Sequence, residues 1–205
     1  MVSKDVPDIV VGRLPLYLRA LSFQAAEGRE VISSQELGHK LGISPAQIRK
    51  DLSHFGEFGK QGTGYDVQYL SEQLLRILKV NEEREVALIG AGDLGRALVH
   101  YDGFADKGFR ISLVFDNNSQ KIGQRLGLFE ILDSESIETI IPDKGIEVAI
   151  VAVPANAAQE VVDALVRAGV KAILNYAPIT VKVPKDLQVQ YIDPVIHLQH
   201  MAYYL

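Results

Sequence analysis

Three glycines, Gly90, Gly92 and Gly95, carry the most specific chemistry in this chain. They fit the spacing G-x-G-x-x-G, follow the apolar run Val86-Ala87-Leu88-Ile89 and precede a helical pattern. In that context Gly90 permits a tight turn, Gly92 lets a pyrophosphate approach the backbone, and Gly95 lets helix and strand pack closely. The helix N-terminus then offers N–H groups and a positive dipole end to phosphates. Ala91, Asp93 and Leu94 complete the turn, and the Asp93 carboxylate must point away from a pyrophosphate. Asp116 closes the second strand, where a carboxylate accepts hydrogen bonds from ribose hydroxyls and repels a 2′-phosphate. Asn117 and Asn118 supply no cation to reverse that preference, so NAD(H) is expected over NADP(H). Val153 and Pro154, at the end of a later strand, would line the crevice near the cofactor's middle.

A second group of residues suits nucleic acid. Ser44-Pro45-Ala46-Gln47 opens a helix with a cap hydroxyl, Pro at N1 and a Gln placed to close a capping box. The preceding helix, Ser34 to Leu41, takes Ser33 or Ser34 as cap and stops at Gly42, which gives helix-turn-helix spacing. On the second helix Ser44, Gln47, Arg49 and Lys50 occupy the first two turns, where Gln pairs with adenine and Arg with guanine. The other reading of Arg49 and Lys50 is a solvated face with Asp51 as neighbour. Ile48, Leu52 and Phe55 should face a core. A glycine-punctuated hairpin follows, from Gly56 to Tyr65, with Lys60 at its tip and Gly62 beside it. That has the form of a wing reaching the minor groove.

Catalysis is poorly provided for. A dehydrogenase needs an acid or base and a substrate domain. None of His39, His54, His100, His197 and His200 stands in a motif that pairs it with a carboxylate. His197 and His200 are three apart, but they read more simply as a solvated or interface pair than as metal ligands. No metal is expected. An NAD-dependent oxidoreductase with an accessory N-terminal helical domain remains the alternative.

The absence of cysteine excludes disulfides, thiolate zinc sites and cysteine nucleophiles. No apolar run reaches the ~18–20 residues that span a bilayer, and the start of the chain has no signal-peptide pattern, which predicts a cytoplasmic protein without a membrane partner. Net charge is −5, yet it is uneven. Residues 1–80 hold 10 Lys and Arg against 9 Asp and Glu, whereas 81–205 hold 11 against 17. The basic stripe that phosphates require can therefore sit on the first part.

These residues need elements to position them. Leu14, Leu18, Leu21 and Ala25 repeat at helical period over 13–27, and Leu70, Leu74, Ile77 and Leu78 do so over 67–80. After a polar break at Asn81-Glu82-Glu83-Arg84, strands and helices alternate. The strands are 85–89, 110–116, 147–153, 172–175 and 187–192, and the helices 94–101, 134–141 and 156–168. That alternation predicts a parallel sheet covered on both faces. The last helix, 195–205, is apolar on nearly all sides and must be buried, either on its own sheet or in a homodimer that exchanges terminal helices. The expected fold is α/β, an N-terminal winged helix-turn-helix plus a Rossmann-like doubly wound parallel sheet with a C-terminal, domain-swapped helix. Its parts are 1–80 for DNA, 81–193 for the dinucleotide and 194–205 for dimerisation. Asp66 to Glu85 would form the lever between reader and sensor.

Over nearly its whole length the sequence resembles the Rex family of redox-sensing transcriptional repressors. The resemblance rests on Arg13-Leu14-Pro15-Leu16-Tyr17, on Gln47 through Tyr65 (QIRKDLSHFGEFGKQGTGY), on Gly90 through Leu98, on Val151 through Pro178, and on Leu198 through Leu205. It implies a homodimer that binds palindromic operators in double-stranded DNA when NADH is low, senses the NADH/NAD⁺ ratio, and represses genes of respiration and fermentation. By the same resemblance Arg49, Lys50 and Lys60 contact DNA; Gly90, Gly92, Gly95 and Asp116 hold NADH. Arg13, Tyr101 and Asp193 form a polar network that couples cofactor state to domain orientation. The sequence departs from the family at Pro194, where relatives carry a larger apolar residue near the partner's nicotinamide.

Overall fold

The computed structural model describes residues 6–60 and 62–205, with Lys60 defined by its backbone alone. The chain divides into two compact units, Met1–Glu82 and Glu83–Leu205.

The first unit contains α1 (Asp8–Val11), α2 (Leu14–Ala26), β1 (Val31–Ile32), α3 (Ser34–Leu41), α4 (Pro45–Ser53), β2 (Gly59–Lys60), β3 (Gly64–Asp66) and α5 (Val67–Ile77). On α2 the buried stripe is Leu14, Tyr17, Leu21 and Gln24, while Ala25, expected on it, is exposed. The stripe admits Tyr17 and Gln24 because their polar ends are satisfied, the first by Asp51 and the second by Glu27. A capping box does form, but on α3. Ser33 accepts from the Glu36 N–H and the Glu36 carboxylate accepts from the Ser33 N–H. On α4 the Ser44 hydroxyl caps the Gln47 N–H at 3.2 Å. The box expected there is not closed, because the Gln47 amide donates to Asp51 instead.

The tight crossing of α3 and α4 rests on Gly38. A Cβ at that position would lie 2.4 Å from the Ile43 carbonyl oxygen. β1 was not foreseen, since two residues show no period. It pairs antiparallel with β3 and completes a three-stranded sheet in the order β1-β3-β2. α5 buries Val67, Leu70 and Leu74 in the same core as Leu14, Tyr17, Ile48 and Leu52. Most of the supposed lever is thus part of the first unit's core.

The second unit contains β4 (Arg84–Ile89), α6 (Asp93–Val99), a 3₁₀ turn (Asp102–Lys107), β5 (Phe109–Asp116), β6 (Arg125–Leu126), β7 (Phe129–Asp133), α7 (Ile137–Lys144), β8 (Val148–Val151), α8 (Ala155–Arg167), β9 (Ala172–Asn175), β10 (Gln188–Tyr191) and α9 (Pro194–Ala202). The strand order is β10-β9-β8-β4-β5-β7-β6. Every pairing is parallel except that of β6 with β7, an edge hairpin hidden in sequence by its shortness. The order reverses beside β4, which makes its C-terminal end the switch point where doubly wound sheets take ligands.

β4 shows how the faces divide. Ala87 and Ile89 pack with Ile137, Ile141, Val162 and Leu165 of α7 and α8, whereas Val86 and Leu88 pack with Leu98 of α6. Full cover of both faces was expected, and the second face departs from it. There α6 serves the β4–β5 half, and an apolar groove of about 310 Å³ stays open, lined by Val86, Phe109, Ile111, Val148, Ile150 and Leu174 among others. α9 does not fill it, for every residue from Pro194 to Leu205 is exposed.

Candidate nucleotide and nucleic-acid sites

The glycine turn is built by close approaches. Gly90 sits at φ +106°, and a Cβ on it would lie 2.3 Å from the Ala152 carbonyl oxygen. Only glycine lets the end of β4 pass the end of β8 so closely. A Cβ on Gly95 would stand 1.9 Å from the Gly90 carbonyl oxygen, so α6 leans directly on the turn. Gly92 differs from both. Nothing lies within 4 Å of where its Cβ would be, and it caps α6 without a side-chain hydrogen bond. Open space over uncapped N–H groups is what a pyrophosphate requires. Ala91 is buried, while Asp93 and Leu94 face solvent, so the Asp93 carboxylate is free of the turn's interior. Val153 is half-buried beside Gly90, and Pro154 is the exposed N-cap of α8.

Asp116, 7% exposed, ends β5. Its Oδ2 accepts from the Ala91 N–H at 2.8 Å and from Lys121 Nζ at 3.0 Å; its Oδ1 accepts from the Asn118 N–H at 2.9 Å. Burial alone would raise this carboxyl's pKa, but the two backbone donors and the ammonium outweigh it and hold the group below the usual carboxylate range. Asn117 and Asn118 supply no cation here, but Lys121, further along the chain, does. Its signal is weak in sequence, a lysine five residues past the strand, brought back by the turn in which its N–H bonds the Asn118 carbonyl. Asn175 also went unread. Fully buried at the end of β9, it donates to the carbonyls of Ala177 and Ile179 and accepts from the Ala177 N–H, fixing the loop at the same sheet edge. These residues fit a dinucleotide with unmodified ribose.

In the first unit Arg49 and Lys50 are exposed on α4. Arg49 Nη1 donates to the Ser34 hydroxyl at 2.8 Å, which ties it to the first residue of α3. Gly62, at φ +87°, turns the hairpin between β2 and β3 and is exposed. The Lys60 side chain lies outside the described residues. Asp51 is no solvated neighbour of Arg49. It is fully buried and accepts from Arg13 Nε at 2.6 Å and Nη2 at 2.8 Å, from the Tyr17 hydroxyl at 2.5 Å and from Gln47 Nε2 at 2.7 Å. Burial would raise the Asp51 pKa, but these four donors reverse the effect and lower it. The Asp51 bond raises the Arg13 pKa, and burial followed by the same bond raises that of Tyr17. This cluster locks α2 to α4 and holds Gln47 half-buried.

Of the three residues expected to form a switch network, each has a local setting. Arg13 is paired with Asp51. Tyr101, 59% exposed, stacks edge-on to Phe104. Asp193 caps α9 by accepting the Val195 N–H at 2.9 Å. His197 and His200 are exposed, and among the described residues no group of three or more His, Cys, Asp or Glu could hold a metal ion. No helix among them is long and apolar enough to cross a membrane.

Comparison with known proteins adds independent findings. Residues 81–179 match the family model described as "CoA binding domain", and residues 5–53 match "Putative DNA-binding protein N-terminus". The redox-sensing transcriptional repressor Rex of Chloroflexus aggregans is 50% identical over 203 residues, covering 99% of this chain and 96% of the relative. Among solved structures, the repressor RSP in complex with NAD⁺ and operator DNA superposes with a TM-score of 0.93 at 38% identity, covering 98% of this chain and 93% of that one. RSP in complex with NADH superposes with a TM-score of 0.89 at 36% identity, covering 98% and 95%.

Proposed function

This chain belongs to the Rex family of redox-sensing transcriptional repressors, and we propose that it occupies a palindromic operator through α4 and the β2–β3 wing while NADH is scarce. NADH in the glycine-turn crevice releases it. The observation that carries this reading is the near-complete match to a repressor solved both with operator DNA beside NAD⁺ and with NADH. The relatives are transcriptional repressors, so the dinucleotide is a signal here and not a hydride donor to a substrate; the oxidoreductase alternative is not favoured.

The residues supply a physical logic. Gly92 and the N-terminus of α6 receive the pyrophosphate, Asp116 receives the adenosine ribose, and Val153 and Pro154 line the way toward the nicotinamide. NAD⁺ carries a cationic ring and NADH a neutral one, so a dry apolar pocket disfavours the oxidised form by desolvation. Moving a two-state equilibrium from 1:99 to 99:1 takes ~5.5 kcal/mol of differential binding, which two cofactors in a dimer would share. On DNA, Arg49 and Lys50 face the groove with Ser44 at the helix start, Gln47 reads from its place beside Asp51, and Lys60 and Gly62 form the wing tip. Arg13, Tyr101 and Asp193 are the proposed coupling residues. The protein would work in the cytoplasm, beside both DNA and the NADH pool.

A homodimer is part of the proposal. α9 exposes Val195, Ile196, Leu198 and Met201 at 56–62%, and the open groove on the sheet is apolar as well. Exchange of α9 between two copies would cover both surfaces, and two-fold symmetry would match a palindrome. The test is a gel shift on a palindromic operator, titrated with NADH and NAD⁺ in separate series. NADH should release the complex at concentrations where NAD⁺ does not. Indifference to NADH would refute the sensing role.

A further inference from the structure

Two serines stand side by side at the start of α3, and by residue type either can cap a helix. The structure divides their work. Ser33 is the N-cap, and its hydroxyl closes the capping box with Glu36. Ser34 is the first helical residue, so its hydroxyl is not needed by the cap. It accepts instead from Arg49 Nη1 at 2.8 Å, from a residue 15 positions along the chain. We propose that Ser34 is a positioning residue for Arg49, aiming the guanidinium of α4 at the operator before DNA arrives. The proposal rests on the DNA reading above.

The geometry suits that role. An arginine carries five N–H donors, and Ser34 engages Nη1. The Nε–Nη2 edge stays whole for a bidentate contact with guanine or a phosphate. Arg13 grips Asp51 by the same edge, in the fork geometry such a contact needs. The partner of Arg49 is a neutral hydroxyl and not a carboxylate, so the guanidinium keeps its full charge for nucleic acid. The carboxylate of the same helical turn, Glu36, is held by Ser33 and Arg29. Tyr65, on β3, adds a second boundary. Burial raises the pKa of its hydroxyl, and the nearby charge of Arg49 offsets part of that rise. A flexible arginine loses rotamer freedom on binding, and one ordered beforehand loses less. The Ser34 bond lies at an exposed surface and adds little to folding, so its loss should register on DNA and not on the fold.

The test uses the full chain, with gel shifts on a palindromic operator in the absence of NADH and thermal unfolding in parallel. Ser34→Ala should weaken operator binding about three- to tenfold, the factor that ordering one rotamer-rich side chain is worth. Its melting temperature and NADH affinity should match those of the native chain. Ser34→Thr keeps the hydroxyl and should bind the operator as the native chain does. In the Arg49→Ala background no guanidinium remains to be aimed, so Ser34→Ala should cause no further loss. A further loss of the same size there would make Ser34 a DNA contact in its own right and overturn the proposal. Native affinity in Ser34→Ala, or no rescue by threonine, would overturn it too. Arg49→Ala alone probes the underlying reading: native operator affinity in that variant would remove Arg49 from the DNA interface, and the role of Ser34 with it.

Discussion

Asp51 shows how much one side chain can hold in place. A buried carboxylate accepting four hydrogen bonds from Arg13, Tyr17 and Gln47 fixes the angle of α4 and the rotamer of Gln47 at once. Asp51→Asn keeps the shape but leaves the Arg13 guanidinium without its anion. It should cost about 3 kcal/mol at pH 7, the low end for a broken buried pair because Arg13 stays partly solvated. The pH dependence has a definite sign. The folded pKa of Asp51 is lowered, so its stabilisation is complete above the unfolded carboxylate value of about 3.9 and is lost as pH falls through the folded value. Urea midpoints of native chain and variant should therefore differ at pH 7 and draw together below about pH 4. A gap that stays constant into acid would show that the ionised pair does not supply the stability.

At the scale of elements, the glycine turn and α6 stand or fall together. Gly95→Ala places a methyl 1.9 Å from the Gly90 carbonyl oxygen, so the helix must back away. Overpacking of this kind costs about 1–3 kcal/mol. Because the retreating part is the phosphate-facing N-terminus, NADH affinity should fall more than tenfold in titration while the first unit keeps its operator binding. Equal losses of NADH and operator binding would mean general unfolding. This element was legible in advance because G-x-G-x-x-G after an apolar run is a local pattern, although the approach to Ala152 that demands Gly90 is not. α3, α4, Ile48 and Leu52 were legible for the same reason. What sequence could not supply is long-range pairing. Asp51 looks like any helical carboxylate until Arg13 and Tyr17, 38 and 34 residues away, reach it. Lys121 lies near Asp116 in sequence but is brought to it by a turn with no strong signature. Gly38 betrays nothing until α4 crosses it, and β1 and β6, two residues each, are too short for periodicity to register.

The whole molecule poses the question of its last helix. An apolar helix whose residues are all exposed, in a chain whose sheet keeps an open apolar groove, leaves two surfaces to be covered. At about 25 cal/mol per Å² of apolar area buried, each of the side chains Ile196, Leu198 and Met201 would contribute about 1.5–3 kcal/mol on burial. Two exchanged helices per dimer double that sum, enough to offset the entropy of association. Deletion of residues 194–205 should therefore yield monomers or aggregates in light scattering coupled to size exclusion. Operator affinity should fall sharply, since a single winged helix grips only a half-site. NADH binding by the glycine turn should weaken much less, because Gly92 and Asp116 are fixed by β4, β5 and α6. A clean dimer after the deletion would place the interface elsewhere and refute the exchanged helix. It would leave Gly92 and Asp116 as proposed, since neither depends on α9.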